Sequence, residues 1–449
     1  MVAVAALLPA VLDGTGLIFQ LTPFLPEAPI VLRADPLGLL LLLTASSLRL
    51  LTTVYSIGYL QAPPASLTRF HVLVAITIAT TAGVSFSANL VTLYLFYEAM
   101  TFVTYPLVTF TGTTEAAAGG RRYLAYQLGT GIALFLPAVV LTYTQTGSFD
   151  LTPGGIFGAD ARGWLPVVTY LLFLFGIAKA AIVPVHAWLP SAMVAPTPVS
   201  ALLHAVAVVN VGVFTLFRIL LDVFGLQSVR WLNLGPLTLA VTSVTILVAS
   251  LIALNTRDLK EILAYSTIGQ LSYMILGIAL LTEAGVTGGI LHLVGHAVSK
   301  ITLFFAVGAI AIGTGATSLD GLRGLGQRMP LLVGALAIGA ASIVGLPPTI
   351  GFVTKYFLFI GAAEARYWAI LAVLATSTLL SATYYVRMVR VALSPMPTAD
   401  ESRVSSLDAG SGRRVPVEMV VPVAVTAALT IALGVIPGPL LHLVRAAVP

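Results

Sequence analysis

Residues 172–190 read LFLFGIAKAAIVPVHAWLP, and residues 345–355 read GLPPTIGFVTK. Each stretch continues a long apolar run and places one lysine, Lys179 or Lys355, beside a proline interruption, on opposite sides of it. Proline removes a helical hydrogen bond, and the freed carbonyls are tolerated at membrane depth only against protein or water. The two stretches therefore predict two broken membrane-spanning helices. Ordinary proline kinks are the alternative for either helix taken alone.

The composition around these stretches is that of a membrane protein. Of 449 residues, 58% are hydrophobic and 9% are charged, whereas a soluble domain carries about 25% charged residues. A span needs about 20 apolar residues, and the apolar runs predict thirteen spans: 2–20, 36–59, 70–87, 89–111, 123–144, 164–188, 196–221, 234–254, 260–282, 287–313, 330–359, 366–393 and 416–443. We therefore expect an all-α polytopic membrane protein, with residues 1–449 forming one transmembrane domain. The polar stretch Ser394–Arg414 is predicted to be a loop.

The composition also excludes several classes of function. Cysteine is absent, which removes disulfides, cysteine-ligated iron–sulfur clusters and cysteine zinc sites. The net charge of +5 comes from basic residues that stand singly or in pairs in short loops, a signal of topology. No phosphate-binding loop or nucleophile motif occurs. We expect no cofactor, no metal and no nucleic-acid partner, and no covalent chemistry by this chain alone.

The two lysine-bearing breaks occupy corresponding positions along the chain. Each lies in the fourth helix of a five-helix set, in residues 70–221 and 234–393. Because five is odd, the two sets cross the membrane in opposite senses, and paired broken spans indicate inverted repeats with a midplane site. Basic residues concentrate in the loops after even-numbered spans, which places those loops in the cytoplasm. The N-terminus is then cytoplasmic if 2–20 spans the membrane, and outside if it does not.

Ionisable residues inside the predicted spans need a reason, because a charge at a helix centre costs about 2.5–3.5 kcal/mol on insertion scales. The candidates are Glu98, Lys179, His204, His292, His296, Lys300 and Lys355, with Glu98 as the only carboxylate deep in a span. Burial disfavours a charged lysine and a nearby carboxylate favours it, so a Glu98–Lys179 pair that makes and breaks contact would switch a proton. Joined by water, these groups predict a proton relay across the bundle.

Several of these residues also have a purely structural explanation. Glu98 is explained equally by a fixed ion pair that locks two helices. A lone histidine such as His204 is often a hydrogen-bonded contact between helices, although its ordinary pKa near 6.5 suits a relay. Lys355, near a helix end, has the alternative of extending toward the membrane surface.

Four further points stay open at the level of sequence. His292 and His296 have the i,i+4 spacing of metal ligands, but no carboxylate or cysteine completes such a site. His186, just past the first break, is a secondary candidate as a polar gate or a loop contact. Lys260 is explained by a helix cap and topology as well as by a relay. Arg49, inside the second span, is expected to have a partner on a neighbouring helix or subunit.

Five motifs, in consistent order, resemble the antiporter-like subunit family. That family includes proton-pumping membrane subunits of respiratory complex I, subunits of Mrp-type cation/proton antiporters and subunits of membrane-bound hydrogenases. The motifs are FYEAMTFVTY (96–105), KAAIVPVHAWLPSAMVAPTPVSALLHA (179–205), DLKEILAYSTIGQLSYM (258–274), HLVGHAVSK (292–300) and GLPPTIGFVTK (345–355). The resemblance implies two inverted five-helix repeats, each with a broken helix that carries a key lysine.

The resemblance also implies roles for the buried residues. It implies that Glu98 and Lys179 form an input pair and that Lys355 is the output residue, where some members carry glutamate. It implies a central relay between them: His204, His292, His296 and Lys300. We therefore expect a proton-translocating subunit of a complex in the cell membrane, similar to the D-type subunit of Mrp-type Na⁺/H⁺ antiporters, whose partners are other membrane subunits, lipid, and H⁺ or Na⁺.

Three alternatives to this function are kept. A proton-pumping subunit of a complex I-like NADH–quinone oxidoreductase or of a membrane-bound hydrogenase belongs to the same family. A stand-alone secondary transporter for a small solute also fits two broken helices with a midplane site. A quinone-binding redox enzyme is the third, although the sequence has no set of cofactor ligands.

Overall fold

The chain folds into a helical bundle with one small sheet at its N-terminal end. The computed structural model describes residues 1–14, 16–21, 29–61, 64–158, 161–395 and 414–448. Strands β1 (Leu17–Gln20) and β2 (Val31–Ala34) pair antiparallel, with Leu17 opposite Ala34. The all-α class is therefore confirmed, with this two-stranded sheet added. The predicted loop over 394–414 lies mostly outside the described residues.

The helices follow the predicted apolar runs closely from residue 36 onward. In chain order they are α1 (Val2–Ala5), α2 (Leu8–Leu12), α3 (Pro36–Leu60), α4 (Pro64–Ser85), α5 (Leu90–Val108), α6 (Thr114–Thr146), α7 (Trp164–Gly176), α8 (Trp188–Ser191), α9 (Thr197–Trp231), α10 (Leu234–Asn255), α11 (Leu259–Ala279), α12 (Glu283–Thr314), α13 (Leu325–Arg328), α14 (Pro330–Val344), α15 (Ile350–Glu364), α16 (Trp368–Leu393), α17 (Val417–Val435) and α18 (Gly438–Ala446). Within the described residues, ten helices are long and apolar enough to cross a membrane, or eleven with one bent pair. The predicted count of thirteen is not confirmed.

The first predicted span, 2–20, is wrong. The helical region ends at Leu12, Gly14 adopts a left-handed φ of 72°, and the chain then enters β1. Glycine supplies this conformation without steric cost and weakens a helix, so the apolar run does not continue as one. Eleven helical residues extend about 16 Å, roughly half of a bilayer core of about 30 Å. This segment is too short to cross the membrane.

Both predicted breaks are present, and each divides a segment predicted as one helix. The segment 164–188 is α7, which ends at Gly176, followed by a 3₁₀ turn (Ala178–Ala180) and irregular chain before α8. The segment 330–359 divides between Val344 and Ile350. Lys179 therefore lies in the break itself and not in the middle of a helix, which corrects the sequence prediction.

Polar side chains fix where several spans begin. Asp35 accepts a 2.9 Å hydrogen bond from the Gly38 amide at the start of α3, and Asn89 accepts one of 2.8 Å from Thr92 at the start of α5. Asp258 does the same for α11, accepting from the amide three residues on. Such caps satisfy amides that have no partner inside the helix. Lys260 thus follows a capping aspartate, as the sequence suggested.

The connections gather at two opposite ends of the bundle, so successive spans run in alternating directions. At one end, backbone hydrogen bonds join Arg33 to Phe86, Leu90 to Phe149 and Thr152 to Asp222. At the other end they join Leu259 to Thr317 and Gly324 to Ser394. A break falls in the fourth of five consecutive passes twice, first in α4–α9 and then in α10–α16. The inverted relation between residues 70–221 and 234–393 stays a prediction.

The centre of the bundle is formed by α9, α11 and α12. Nearly every residue in the most apolar part of these helices is buried, whereas only about a third is buried in α16 and α17. A transmembrane helix buried all round faces other helices and not lipid. Polar residues on α9, α11 and α12 therefore lie inside the protein, at the depth where they need partners.

Candidate functional site

The ionisable residues predicted from the sequence lie buried inside the bundle. None of them is more than 9% exposed. We call this set the polar axis: Glu98, Lys179, His204, His292, His296, Lys300 and Lys355. The chain has only four lysines, and three of them belong to the polar axis. Buried ionisable groups in a membrane protein mark functional paths more often than structure alone.

Glu98 and Lys179 lie close together with Thr101 between them. Lys179 Nζ donates a 2.7 Å hydrogen bond to Thr101 Oγ1, and Thr101 also interacts with the Glu98 carboxylate one helical turn earlier. The charges of Glu98 and Lys179 act on each other. Among the described residues, no Lys179 nitrogen lies within 4 Å of a carboxylate oxygen. The two groups are therefore coupled through a hydroxyl and are not a closed ion pair.

The space for the Glu98 carboxylate is made by Gly131. A Cβ atom at position 131 would overlap Glu98 Oε1, so only glycine fits there. Gly131 opens a π-helical turn, Gly131–Phe135, inside α6. Single π-helical turns within α-helices occur frequently at functional sites. The local winding of α6 thus shapes the pocket of the carboxylate.

The break that holds Lys179 is fixed by contacts on each side. Its ammonium nitrogen is 3.4 Å from the centroid of the Tyr97 ring, and the Tyr97 hydroxyl accepts a 3.2 Å hydrogen bond from the Lys179 amide. Trp188 Nε1 donates a 2.8 Å hydrogen bond across the break to the Ala178 carbonyl. Ala181 has a φ of 53°, a conformation that costs a non-glycine residue energy and persists only where the surroundings enforce it. The break is a built feature.

His204 also lies in a π-helical turn, Leu202–Val206, within α9. It is fully buried, and its ring centroid is 5.1 Å from that of Phe304 on α12. Neither ring nitrogen has a hydrogen-bond partner among the described residues. The interhelical hydrogen bond offered as the alternative is therefore not formed, and both nitrogens are free to exchange a proton.

Lys300 is held by groups from two neighbouring helices. Its Nζ donates to the Leu263 carbonyl of α11 at 3.0 Å and to the Tyr385 hydroxyl of α16 at 3.1 Å. Tyr385 in turn donates to Ser266 Oγ at 2.9 Å. These partners are neutral, so they hold the ammonium without fixing its charge by a counter-ion.

His296 occupies the position between the other members of the central group. It is fully buried on α12, and neither of its ring nitrogens has a hydrogen-bond partner within the described part of the chain. It lies close enough to His204, His292 and Lys300 to interact with their charges. The ring centroids of His292 and His296 are 6.4 Å apart. The four central residues are thus brought together by α9 and one face of α12.

His292 connects the central group to the second broken span. Its Nε2 lies 3.0 Å from Gln270 Oε1 on α11, and its Nδ1 lies 2.8 Å from Thr354 Oγ1 on α15. Lys355 follows Thr354 directly and interacts electrostatically with His292. The polar axis therefore continues from α12 into α15.

Lys355 turns back toward the break and not toward the membrane surface. Its Nζ donates to the Val344 carbonyl at 3.1 Å and to Thr378 Oγ1 at 3.3 Å. Val344 is the last residue of α14, where unpaired carbonyls and the helix dipole favour a positive charge. Gly345 follows with a φ of 95°, and a Cβ atom there would lie 2.8 Å from Lys355 Cδ. Extension toward the surface, the structural alternative, is not what the structure shows.

The secondary candidates lie outside this arrangement. Lys260 Nζ donates to the Ala195 carbonyl at 2.8 Å, which ties the start of α11 to the chain preceding α9, although its charge also reaches His204. His186 is half-buried beyond the first break. Arg49 is half-buried, and the charged neighbour it acts on is His71 of α4, another basic side chain.

A buried ion cluster near one end of the bundle was missed by the sequence reasoning. Arg218 donates to Asp222 at 2.8 Å and to Asp35 at 2.5 Å, and it is only 4% exposed. Asp222 is 6% exposed, so the prediction that Glu98 is the only carboxylate buried in a span is wrong. The i,i+4 spacing of arginine and aspartate was the available signal, but Asp222 follows the predicted end of its helix at 221.

The arrangement suits the movement of protons and offers little to a metal. Among the described residues, no three histidine, cysteine, aspartate or glutamate side chains converge on one point. Neighbouring members of the polar axis differ in chemical type, which lets a proton pass between groups of different affinity. Residues from α5, the first break, α9, α12 and α15 take part, so the polar axis extends through the middle of the bundle.

Residues 87–381 match the sequence profile of a family described as NADH:quinone oxidoreductase/Mrp antiporter, TM. The chain belongs to this family. It is a multi-pass integral membrane protein, and the family resemblance seen in the motifs is confirmed. The matched region contains every member of the polar axis and both broken spans.

Relatives within the family come from two kinds of complex. The chain is 33% identical over 422 residues to NADH-quinone oxidoreductase subunit N of Desulforudis audaxviator, covering 91% of this chain and 82% of that protein. It is 32% identical over 371 residues to a Na⁺/H⁺ antiporter protein of Alkalihalophilus pseudofirmus, covering 78% of this chain but only 45% of that longer protein. A chain of the Mrp complex from Dietzia sp. DQ12-45-1b has the same fold, with a TM-score of 0.87, 26% identity and coverage of 100% of this chain and 89% of that chain.

Proposed function

We propose that this chain is a proton-translocating subunit of a multi-subunit membrane complex, equivalent to the D-type subunit of Mrp-type Na⁺/H⁺ antiporters. The observation that carries the proposal is the polar axis: seven buried ionisable groups that extend from α5 through α9 and α12 to α15. Insertion of that many titratable groups is costly, at about 2.5–3.5 kcal/mol for each charge at a helix centre. A function in moving protons gives the cost a reason.

The first step of the mechanism takes place at Glu98 and Lys179. The Lys179 ammonium is held by the Thr101 hydroxyl, the face of the Tyr97 ring and the field of the Glu98 carboxylate. A proton that arrives on Glu98 removes the negative charge, which weakens the reason for Lys179 to stay charged. Lys179 then releases its proton toward the central group. When Glu98 loses its proton again, the ammonium is restored.

The following steps use the central group and the second break. His204 and His296 have unpaired ring nitrogens and therefore exchange a proton without first breaking a protein hydrogen bond. Lys300, held by neutral partners, and His292 continue the path toward α15. Lys355 receives the proton at the carbonyl end of α14 and is the output residue. The direction in which this path is driven is set by the partner subunits.

The proposed orientation follows from α1 and α2, which are too short to cross the membrane. The N-terminus then lies outside the cell, and the loops with most basic residues stay in the cytoplasm. The end of the bundle that contains Arg257 and Arg323 is the cytoplasmic end. The host membrane is proposed to be the cell membrane.

The experiment uses the assembled complex, purified with its partner subunits and reconstituted into vesicles. Glu98→Gln and Lys179→Met each remove one charge with little change in volume, and proton movement is followed with a pH-sensitive dye. His442→Gln, at an exposed histidine of α18, is the matched control. We expect both axis variants to lose transport while the complex assembles and the control transports normally.

Normal transport by both axis variants would contradict the proposal. The same vesicles separate the alternatives. If the chain alone moves a small solute without its partners, it is a stand-alone transporter. If the purified complex couples proton movement to quinone reduction and not to a cation gradient, the oxidoreductase alternative replaces the antiporter.

A further inference from the structure

The hydroxyl of Thr354 stands between His292 and the second broken span. Its Oγ1 is 2.8 Å from His292 Nδ1 and 3.0 Å from the backbone oxygen of Gly351, one turn earlier in α15. Thr354 is fully buried. A threonine hydroxyl has one hydrogen and so donates to only one acceptor at a time. The two possible directions of this hydroxyl are therefore mutually exclusive.

The protonation of His292 decides which direction is chosen. Its Nε2 faces Gln270 Oε1 at 3.0 Å, and because an amide oxygen only accepts, Nε2 carries a hydrogen. In the neutral ring, Nδ1 is then an acceptor and takes the Thr354 hydrogen. In the charged ring, Nδ1 donates to Thr354 Oγ1, and the hydroxyl hydrogen turns to the Gly351 carbonyl. Both patterns satisfy every atom involved.

We propose that Thr354 is a positioning residue that transmits the protonation state of His292 to Lys355. The turn that receives the hydroxyl is the first of α15 after the break, and Lys355 leaves the same turn. A threonine bond to a carbonyl of the preceding turn competes with the helical pattern and bends the helix. A proton on His292 thus changes the geometry from which Lys355 reaches the Val344 carbonyl. The inference deepens the proposed function and rests on it for its transport consequence.

The charged surroundings make such a link useful. The ionisable groups that face His292 are His296 on its own helix, Tyr273 on α11 with ring centroids 6.0 Å apart, and Lys355 on α15. A charge on His292 and a charge on Lys355 repel each other. The Thr354 hydroxyl adds a bonded connection to that repulsion, so that arrival of a proton at His292 and its release from Lys355 are ordered events.

The test reads the link directly in the full chain with its partner subunits. Six histidines and four lysines are present, so ¹⁵N labelling of these two residue types gives few side-chain signals by NMR. His292→Gln and Lys355→Met assign the two signals that matter. In the wild-type protein, we expect the Lys355 signal to change as His292 becomes protonated.

The variants divide the hydroxyl from the shape of the side chain. Thr354→Ser keeps the hydroxyl and is expected to keep the response of Lys355, whereas Thr354→Val is expected to diminish it and to reduce proton transport about tenfold, the size expected for losing one bond to a charged group. Thr354→Ala is a second variant without the hydroxyl if valine disturbs folding. Thr302→Val is the matched control, because Thr302 is buried on α12 and bonds only the carbonyl of Val298 in its own helix.

The outcomes separate this inference from the function on which it builds. A Thr354→Val protein whose Lys355 signal still follows His292 as in wild type would overturn the link, as would a Thr354→Ser protein that loses the response. A wild-type complex that shows the response but moves no protons would leave the link standing and remove the proposed function. Loss of the response in the Thr302→Val control would show that packing and not the hydroxyl is responsible.

Discussion

The Thr101 hydroxyl is predicted to control the charge of Lys179, and Thr101→Val tests this. Thr101 Oγ1 accepts the one side-chain hydrogen bond that Lys179 makes among the described residues, at 2.7 Å. Valine has nearly the same shape and removes the acceptor without opening a cavity. The ammonium would then keep only the Tyr97 ring and the more distant Glu98 charge as favourable contacts.

The expected size of the effect follows from the bond. A hydrogen bond to a charged group contributes about 1.5–3 kcal/mol. At about 1.4 kcal/mol for each factor of ten, this corresponds to a decrease of about tenfold to a hundredfold in the population of charged Lys179. Because the proposed first step needs that charge, proton transport by the reconstituted complex should fall by about tenfold or more.

Two measurements keep this prediction sharp. Thr142→Val is the control, since Thr142 is equally buried but bonds only the Ala138 carbonyl of its own helix. Size-exclusion chromatography with the partner subunits shows whether each variant assembles. If Thr101→Val assembles and transports at the wild-type rate, the hydroxyl does not hold the ammonium and the coupling through Thr101 is refuted.

Three further predictions concern the surroundings of the site. Gly131→Ala places a methyl group where Glu98 Oε1 lies, so overpacking of about 1–3 kcal/mol should displace the carboxylate and abolish transport, and normal transport would argue against a fixed position for it. Arg218→Met leaves two buried aspartates without their partner and should destabilise the chain by about 3–5 kcal/mol in thermal unfolding, with partial recovery when both aspartates become asparagine; an unchanged unfolding temperature would contradict this. Trp188→Phe removes the bond across the first break and should cost about 1–3 kcal/mol for the unpaired carbonyl, seen as a lower unfolding temperature that a distant Trp368→Phe, at an exposed residue, does not show.

The spans were predictable because a bilayer imposes a simple rule on sequence. A helix must be apolar over about 20 residues to cross, and from residue 36 onward the runs and the helices agree to within a few residues at most ends. The rule fails for 2–20, where the run is apolar enough but Gly14 turns the chain into a strand. It also fails to show that α7 ends at Gly176, because hydropathy does not register how a freed carbonyl is satisfied.

The buried ionisable residues were predictable for a related reason. A lysine or histidine in an apolar run is conspicuous, and the i,i+4 spacing of His292, His296 and Lys300 predicted a shared face that the structure contains. Their partners were not predictable. Thr101 and Thr354 are ordinary in a membrane helix, and only the packing of α5 on the break, and of α15 on α12, gives their hydroxyls a role.

The polar axis is tested most directly at Lys300, which lies in its middle. In vesicles that contain the assembled complex, Lys300→Met should abolish proton movement while the complex forms as in wild type, because a thioether neither accepts nor releases a proton. The Thr302→Val control, two residues away on the same helix, should transport normally. Proton movement at the wild-type rate through Lys300→Met would contradict the central claim that the buried groups form the path.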